Sequence, residues 1–344
     1  MALPLTLYVL GDADPFAGLD PRVAVRSIPV SEIDAALAAH RNGPFLLGGS
    51  GETGDEAARV AAGILDGHAP VFGLAGLVLI APSLGEAAAG GLDLPALVLA
   101  GHDDLTALKH LTEASTRVRF VVVPGAETLL ADERPDGVVP AIEEFLAREI
   151  DIAPVVPDDW ARLIASDRVD VEVRSILARR ALGDDPDYRP QAMDAGQLAL
   201  LREIADLVVP QEGPAIDIAA RVDAALARGE GDGWRNADLP PDPEAYRAGL
   251  DALAAVWPEG DAEETLRAAM AGELDLDGFD AAQLAAWLED VRVDLVRAWL
   301  AHPATMARAG FDGFATGGTV LPLRGFLDLG AGTRETWEPV GVSS

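Results

Sequence analysis

The sequence predicts an α/β domain with a parallel sheet, followed by an all-α domain. Three observations predict this. Short continuous runs of Val, Leu and Ile alternate with helical patterns up to about Glu149. From Asp194 to the last thirty residues nothing reads convincingly as a strand, and apolar residues fall at helical spacing instead. The chain has 344 residues, 49% of them hydrophobic, which suits two cores better than one.

The elements of the first part follow in order. Leu5 to Leu10 and Val23 to Ile28 are strand runs. Ser31 opens a helix to Ala39, with Asp34 in a weak form of the capping box. Phe45 to Leu47 is a third strand, ending in Gly48-Gly-Ser-Gly-Glu-Thr-Gly54 ahead of a helix from about Asp55 to Leu65. Leu74 to Ala81, Ala96 to Ala100 and Arg119 to Val123 complete six strands, and Val138 to Arg148 is a closing helix. Apolar strand runs separated by helices imply a parallel sheet covered on both faces. In such sheets function collects beyond the carboxyl ends of the strands.

Prolines 154, 157, 186 and 190 punctuate a charged stretch with short helices at Asp158 to Ala165 and Val171 to Leu182. The domain limits are therefore 1–149, a connector at 150–190, a helical domain at 191–330 and a tail at 331–344. Helical patterns in the third segment cover Ala195 to Val209, Ala215 to Ala227, Pro243 to Val256, Ala262 to Ala271 and Ala281 to Leu300.

Bulk chemistry removes whole classes of function. The formal net charge is -31, which opposes nucleic acid and anionic membranes, since both need a positive protein field. There is no cysteine, so disulfides, thiolate metal sites and cysteine nucleophiles are out. The first residues lack a basic region and a small-residue cleavage site, so no signal peptide is read there. No apolar run has the roughly 18 residues of a membrane helix. The expected location is the cytoplasm. Asp275, Asp277 and Asp280 lack the closing acid of a Ca²⁺ loop and read as a capping turn before Ala281. No metal or cofactor is expected on this chain. Gly48 to Gly54 lacks both the dinucleotide spacing and the lysine of a phosphate loop.

The turns of the first part carry a resemblance. Leu46-Leu-Gly-Gly-Ser-Gly-Glu-Thr-Gly54 with its Ala-rich helix, Pro95-Ala-Leu-Val-Leu-Ala-Gly-His-Asp-Asp104, and Val121-Val-Val-Pro-Gly-Ala-Glu-Thr-Leu-Leu130 resemble the segments that deliver nucleophile, acid and histidine in the α/β-hydrolase superfamily. The stretch 133–146 resembles that family's last helix. Only residues 82–94 join strands four and five, so the implied core is minimal and capless.

The catalytic residues do not follow. Small residues flank the nucleophile at such an elbow. Placing Ser50 there puts Glu52 at the second small position. Placing Glu52 there keeps Ser50 and Gly54 as small flanks, and is preferred. The family's histidine falls near Thr128, on a stretch with no histidine. A hydroxyl nucleophile needs a base within hydrogen-bond reach. Glu52, Asp104 and Thr128 thus mark degenerate triad positions. A displaced set of Ser50, His102 and Asp104 is the enzymatic alternative; a solvent-facing turn is the simpler reading of His102.

The helical part carries a second resemblance. Leu201-Arg-Glu-Ile-Ala-Asp-Leu-Val-Val-Pro210, Ala219-Ala-Arg-Val-Asp-Ala-Ala-Leu226, Tyr246-Arg-Ala-Gly-Leu-Asp-Ala-Leu253 and His302-Pro-Ala-Thr-Met-Ala-Arg-Ala-Gly-Phe-Asp-Gly-Phe314 resemble the small-subunit family called gluconate 2-dehydrogenase subunit 3. The resemblance implies an accessory subunit in a heteromer with a large flavin-dependent oxidoreductase of the glucose-methanol-choline type, which holds the FAD. Many such subunits carry a twin-arginine signal, absent here. Trp287 and Trp299 share a helical stripe with Leu288, Val291 and Leu295. Most of such a stripe is core, but tryptophan is also enriched at interface hot spots. Trp287, Trp299, His302, Phe311, Asp312 and Phe314 are accordingly the partner-binding candidates. The expectation is a non-catalytic stabilising subunit; the alternatives are a displaced-triad hydrolase and a small-molecule binding module.

Overall fold

The computed structural model describes residues 5–41, 43–83, 93–104, 115, 117–123, 137–230, 238–257 and 261–311. Among these, six strands form one parallel sheet: β1 (Leu5–Leu10), β2 (Val23–Ile28), β3 (Phe45–Ser50), β4 (Leu74–Ile80), β5 (Ala96–Ala100) and β6 (Val118–Val122). Their spatial order is β2-β1-β3-β4-β5-β6, every neighbouring pair parallel. The chain steps outward from β1 to β2, then returns past β1 to lay down the other four. The order reverses between β1 and β3, and in open α/β sheets such a switch point, at the carboxyl ends of the strands, is where ligands bind.

Alternation along each strand divides the sheet's two faces. Tyr8, Leu10, Phe45, Leu47, Leu77, Leu79 and Val98 point to one side, where they pack on α1 (Ile33–Ala38) and α2 (Glu52–Leu65). Leu7, Val9, Leu46, Val78, Ile80, Leu97 and Leu99 point to the other, against α3 (Val138–Phe145) and Phe16. The central strands are buried on both faces, which explains their unbroken apolar sequence.

Several expected boundaries move. β3 continues through Gly48 and Gly49 to Ser50, because it is paired on both sides: Gly49 aligns with Leu10 of β1, and Ser50 with Ile80 of β4. Helix α2 starts at Glu52 rather than Asp55. Ser31 is not a helix cap. It lies in a 3-10 turn over Val30–Glu32, and Glu32 precedes α1 without a side-chain cap. α3 ends at Phe145 and widens into a π-helical turn over Leu146–Ile150.

The connector is part of the α/β layer. Its helices α4 (Asp158–Ala165) and α5 (Val171–Arg180) bring Ile164, Val169, Leu177, Ala178 and Leu182 into the core that contains α2. Buried Arg174 fixes this arrangement. Its guanidinium donates to the carbonyls of Gly67 (3.0 Å), Ser166 (2.9 Å), Val169 (3.2 Å) and Ile164 (3.3 Å). Gly67 has φ +76°, and a Cβ there would lie 2.3 Å from the Val171 carbonyl oxygen. Only glycine permits α5 to approach so closely.

A separate core is built from α6 (Ala195–Val208), α7 (Ile218–Arg228), α8 (Asp242–Ala254), α9 (Ala262–Met270) and α10 (Ala281–Leu300). Asp194 with Gln197, and Asp280 with Gln283, form full capping boxes on α6 and α10. Asp275 accepts from the Ala281 N–H at 2.9 Å, so the aspartate-rich turn does cap α10. A short α11 (Pro303–Arg308) follows, and its Met306 packs against the core that contains α2.

Candidate functional site

The β3–α2 corner stands at the switch point of the sheet. Gly51 sits there with φ 55° and ψ -128°, a conformation costly to any residue with a side chain. Gly49 must also be glycine, since a Cβ there would lie 2.5 Å from the Thr53 carbonyl oxygen. Thr53 closes the turn. Its Oγ1 donates to the Ser50 carbonyl (2.9 Å) and accepts from the Ser50 N–H (3.1 Å). Next to the corner, Ala81 follows β4 at φ 44°, and the Ser83 N–H donates to Asp55 at 2.8 Å. Burial first, then the neighbouring Glu52, push the Asp55 carboxyl above its ordinary pKa, against that hydrogen bond.

The sharp corner therefore falls on Gly51, between the two positions weighed for a nucleophile. Ser50 is the half-buried last residue of β3, and Glu52 is the exposed first residue of α2. His102 is exposed in the turn after β5. Asp104 accepts from the Gly101 N–H at 2.8 Å, closing its own turn. No hydrogen bond joins Ser50, His102 and Asp104 to one another among the described residues. The register explains this. Ser50 aligns with Ile80 and Ile80 with Leu99, so β3 and β5 lie two strands apart, about 10 Å. Thr128 lies outside the described residues.

A concavity lies elsewhere. A groove of ≈ 1640 Å³ runs between the connector and helices α7, α8 and α10. Its walls carry Arg180, Arg221 and Arg297 beside Tyr188, Tyr246 and Trp287. Arg221 is held by Asp184 (2.7 Å) and by the carbonyls of Arg180 (3.0 Å) and Leu182 (3.3 Å). Arg297 donates to Asp294 at 2.9 Å, and the Tyr246 hydroxyl donates to the same carboxylate at 2.8 Å. Trp287 packs edge-on against Tyr246, with ring centroids 5.9 Å apart. Gly249 makes the slot for it, since a Cβ there would lie 2.6 Å from the indole.

One acid essential to this wall stands in a quoted stretch without having been singled out. Asp223 on α7 is fully buried. Its carboxylate accepts from the Tyr188 hydroxyl (2.6 Å) and the backbone N–H groups of Gln191 (2.7 Å), Ala192 (3.0 Å) and Met193 (3.0 Å). Burial, then the hydrogen bond to Asp223, push the Tyr188 phenol well above its usual range. The sequence signal was an acid one helical turn along from the apolar Ala219 and Ala220.

The partner-binding candidates separate. Trp287 is 1% exposed and His302 0%, so both belong to the interior and not to an outward-facing contact surface. The cause is packing: Trp287 fills the Gly249 slot, and His302 caps α11 by accepting from the Ala304 N–H at 3.1 Å. Trp299 is half-buried beneath the Arg308 guanidinium, which lies 5.8 Å from its ring centroid. Phe311 is 50% exposed. Asp312 and Phe314 lie outside the described residues.

Among the described residues no group of three or more histidine or acidic side chains is placed to hold a metal. No described helix is long and apolar enough to cross a membrane. No protein-family model matches the chain, and neither a curated protein nor a solved structure is significantly similar to it.

Proposed function

We propose that this chain is a non-catalytic accessory subunit, with an α/β-hydrolase-like core kept as a scaffold and a helical part that stabilises a flavin-dependent dehydrogenase. Gly51 carries the non-catalytic half of this reading. The corner that would present a nucleophile has no side chain to present, and among the described residues no base is hydrogen-bonded to the Ser50 hydroxyl beside it. The partner half rests on the resemblance of residues 201–226, 246–253 and 302–314 to the small-subunit family. In this role Phe311, 50% exposed, is the outermost of the described partner-binding candidates. The FAD belongs to the partner, and the heteromer is the working enzyme.

The test is capture of the full chain from its native extract. The expected result is a yellow complex containing a large oxidoreductase at fixed stoichiometry. A colourless chain recovered alone sinks the reading, and so does labelling of Ser50 by a fluorophosphonate.

A further inference from the structure

We propose that α11 is an acid-released latch between the two cores: protonation of His302 removes the cap that holds this helix, and α11 then lifts off before the rest of the fold opens. The inference is independent of the subunit reading.

The latch is built on a single turn of chain. Pro303, Ala304 and Thr305, the first residues of α11, are buried, and Met306 packs against the core that contains α2. The preceding helix, α10, belongs to the other core through Leu288, Val291 and Leu295. α11 therefore joins the helical core to the α/β core with only six residues of its own. A helix that short does not hold itself, so its docking and its cap hold it. His302 is the cap. Its carbonyl accepts from the N–H groups of Thr305 (2.9 Å) and Met306 (3.0 Å), and its Nδ1 accepts from the Ala304 N–H at 3.1 Å.

This cap works only with a neutral ring. An imidazolium carries N–H on both nitrogens, so protonation turns the acceptor that faces the Ala304 N–H into a second donor. The ring is fully buried, and among the described residues its Nε2 has no hydrogen-bond partner. A charged ring would thus leave two donors unpaired in the interior, at a large desolvation cost. The charges that act on it come from two elements, Arg221 on α7 and Arg308 on α11 itself, and both oppose a third cation. No carboxylate offsets them. Asp184 of the connector is engaged by Arg221, and on α10 Asp294 pairs with Arg297.

Lifting α11 takes the ring into water, where it protonates near its ordinary pKa of about 6.5. Closed, the ring is held neutral far below that value, by burial first and then by the two arginines. The closed latch is therefore fully favoured above pH 6.5 and loses ground as pH falls below it. α11 yields before α10 because Met306 alone ties it to the α2 core, whereas α10 places Trp287, Leu284, Leu288, Val291 and Leu295 in its own.

The experiment is amide hydrogen exchange of the full chain at pH 7 and pH 5, corrected for the intrinsic pH dependence of exchange and read separately for α11 and for β3 and β5. Protection of α11 is expected to fall roughly 25-fold between the two pH values. At pH 5 it should be lower than that of the strands and nearly unchanged by about 1 M urea, because a local opening exposes little surface. In H302N, which keeps an acceptor at the cap without titrating, the pH-dependent fall should vanish. Wild type alone can overturn the proposal: α11 protection equal at the two pH values does so, and so does protection that matches the strands and drops with them in urea, which means that α11 opens only when everything unfolds. A fall of the same size in H302N overturns it equally, since another group would then be the trigger.

Discussion

Buried polar groups at single positions set how this chain responds to its surroundings. His302 is the clearest. Burial, then the charges of Arg221 and Arg308, lower its pKa from 6.5 to about 3. Among the described residues its Nε2 has no hydrogen-bond partner, and its Nδ1 is an acceptor for Ala304, so the folded state holds the neutral ring. As pH falls below 6.5 the unfolded chain takes the proton first. The stabilisation is thus complete above pH 6.5 and is lost as pH falls toward 3, at about 1.4 kcal/mol per pH unit. From pH 7 to 5 the expected loss from this residue is about 2 kcal/mol. H302N keeps an acceptor for the Ala304 N–H and removes the titration. Urea denaturation at pH 7 and pH 5 should show the variant losing about 2 kcal/mol less than wild type; equal losses would mean His302 is not neutral inside.

At the scale of elements, the β3–α2 corner depends on glycines for two different reasons. Gly51 needs its positive φ, whereas Gly49 needs room. A Cβ at Gly49 would meet the Thr53 carbonyl and the Gly54 N–H, both rigid backbone. G49A should cost about 3 kcal/mol. Gly63, in the middle of α2, has nothing within 4 Å of a built Cβ, so G63A should stabilise by about 0.5–1 kcal/mol. Opposite shifts in urea midpoint for the two variants check the argument; a neutral G49A would mean that α2 can move away from β3. This contrast also shows what sequence can convey. The six strands were legible because a doubly covered sheet demands unbroken apolar runs; Asp158–Ala165 was legible because helical spacing is local, and Ala281–Leu300 because its capping turn is local too. The corner was not. Whether Ser50, Gly51 or Glu52 takes the strained position depends on how far pairing with β1 and β4 extends β3, and that is a tertiary matter. The groove was invisible for the same reason: Arg180, Arg221 and Trp287 meet only when the connector and three helices pack. Trp287 lies on the core side of its stripe because Gly249, 38 positions earlier in the sequence, gives it a slot.

The whole molecule is dominated by its charge of -31. Surface pairs such as Arg202–Asp217 and Arg228–Glu230 are local relief, each worth little, while the excess acid repels across the entire surface. Salt should therefore stabilise the fold. Raising ionic strength from about 0.05 to 0.5 M shortens the screening length severalfold, and a melting temperature higher by roughly 2–4 °C is expected, equivalent to about 1 kcal/mol. A fall would show that the ion pairs outweigh the repulsion.

The seating of α4 and α5 on the α2 face has a consequence for the chain as it is synthesised. All six strands have been made by Val122, and α3 follows by Phe145, yet Ile164, Leu177 and Leu182, which finish the core around α2, come later. At about 5–20 residues per second, the stretch from 150 to 182 takes roughly 2–6 s to add. Until that stretch is added, the sheet lacks the residues that finish the core on its α2 face. That is the moment at which a chaperone, or a neighbouring nascent chain, meets it.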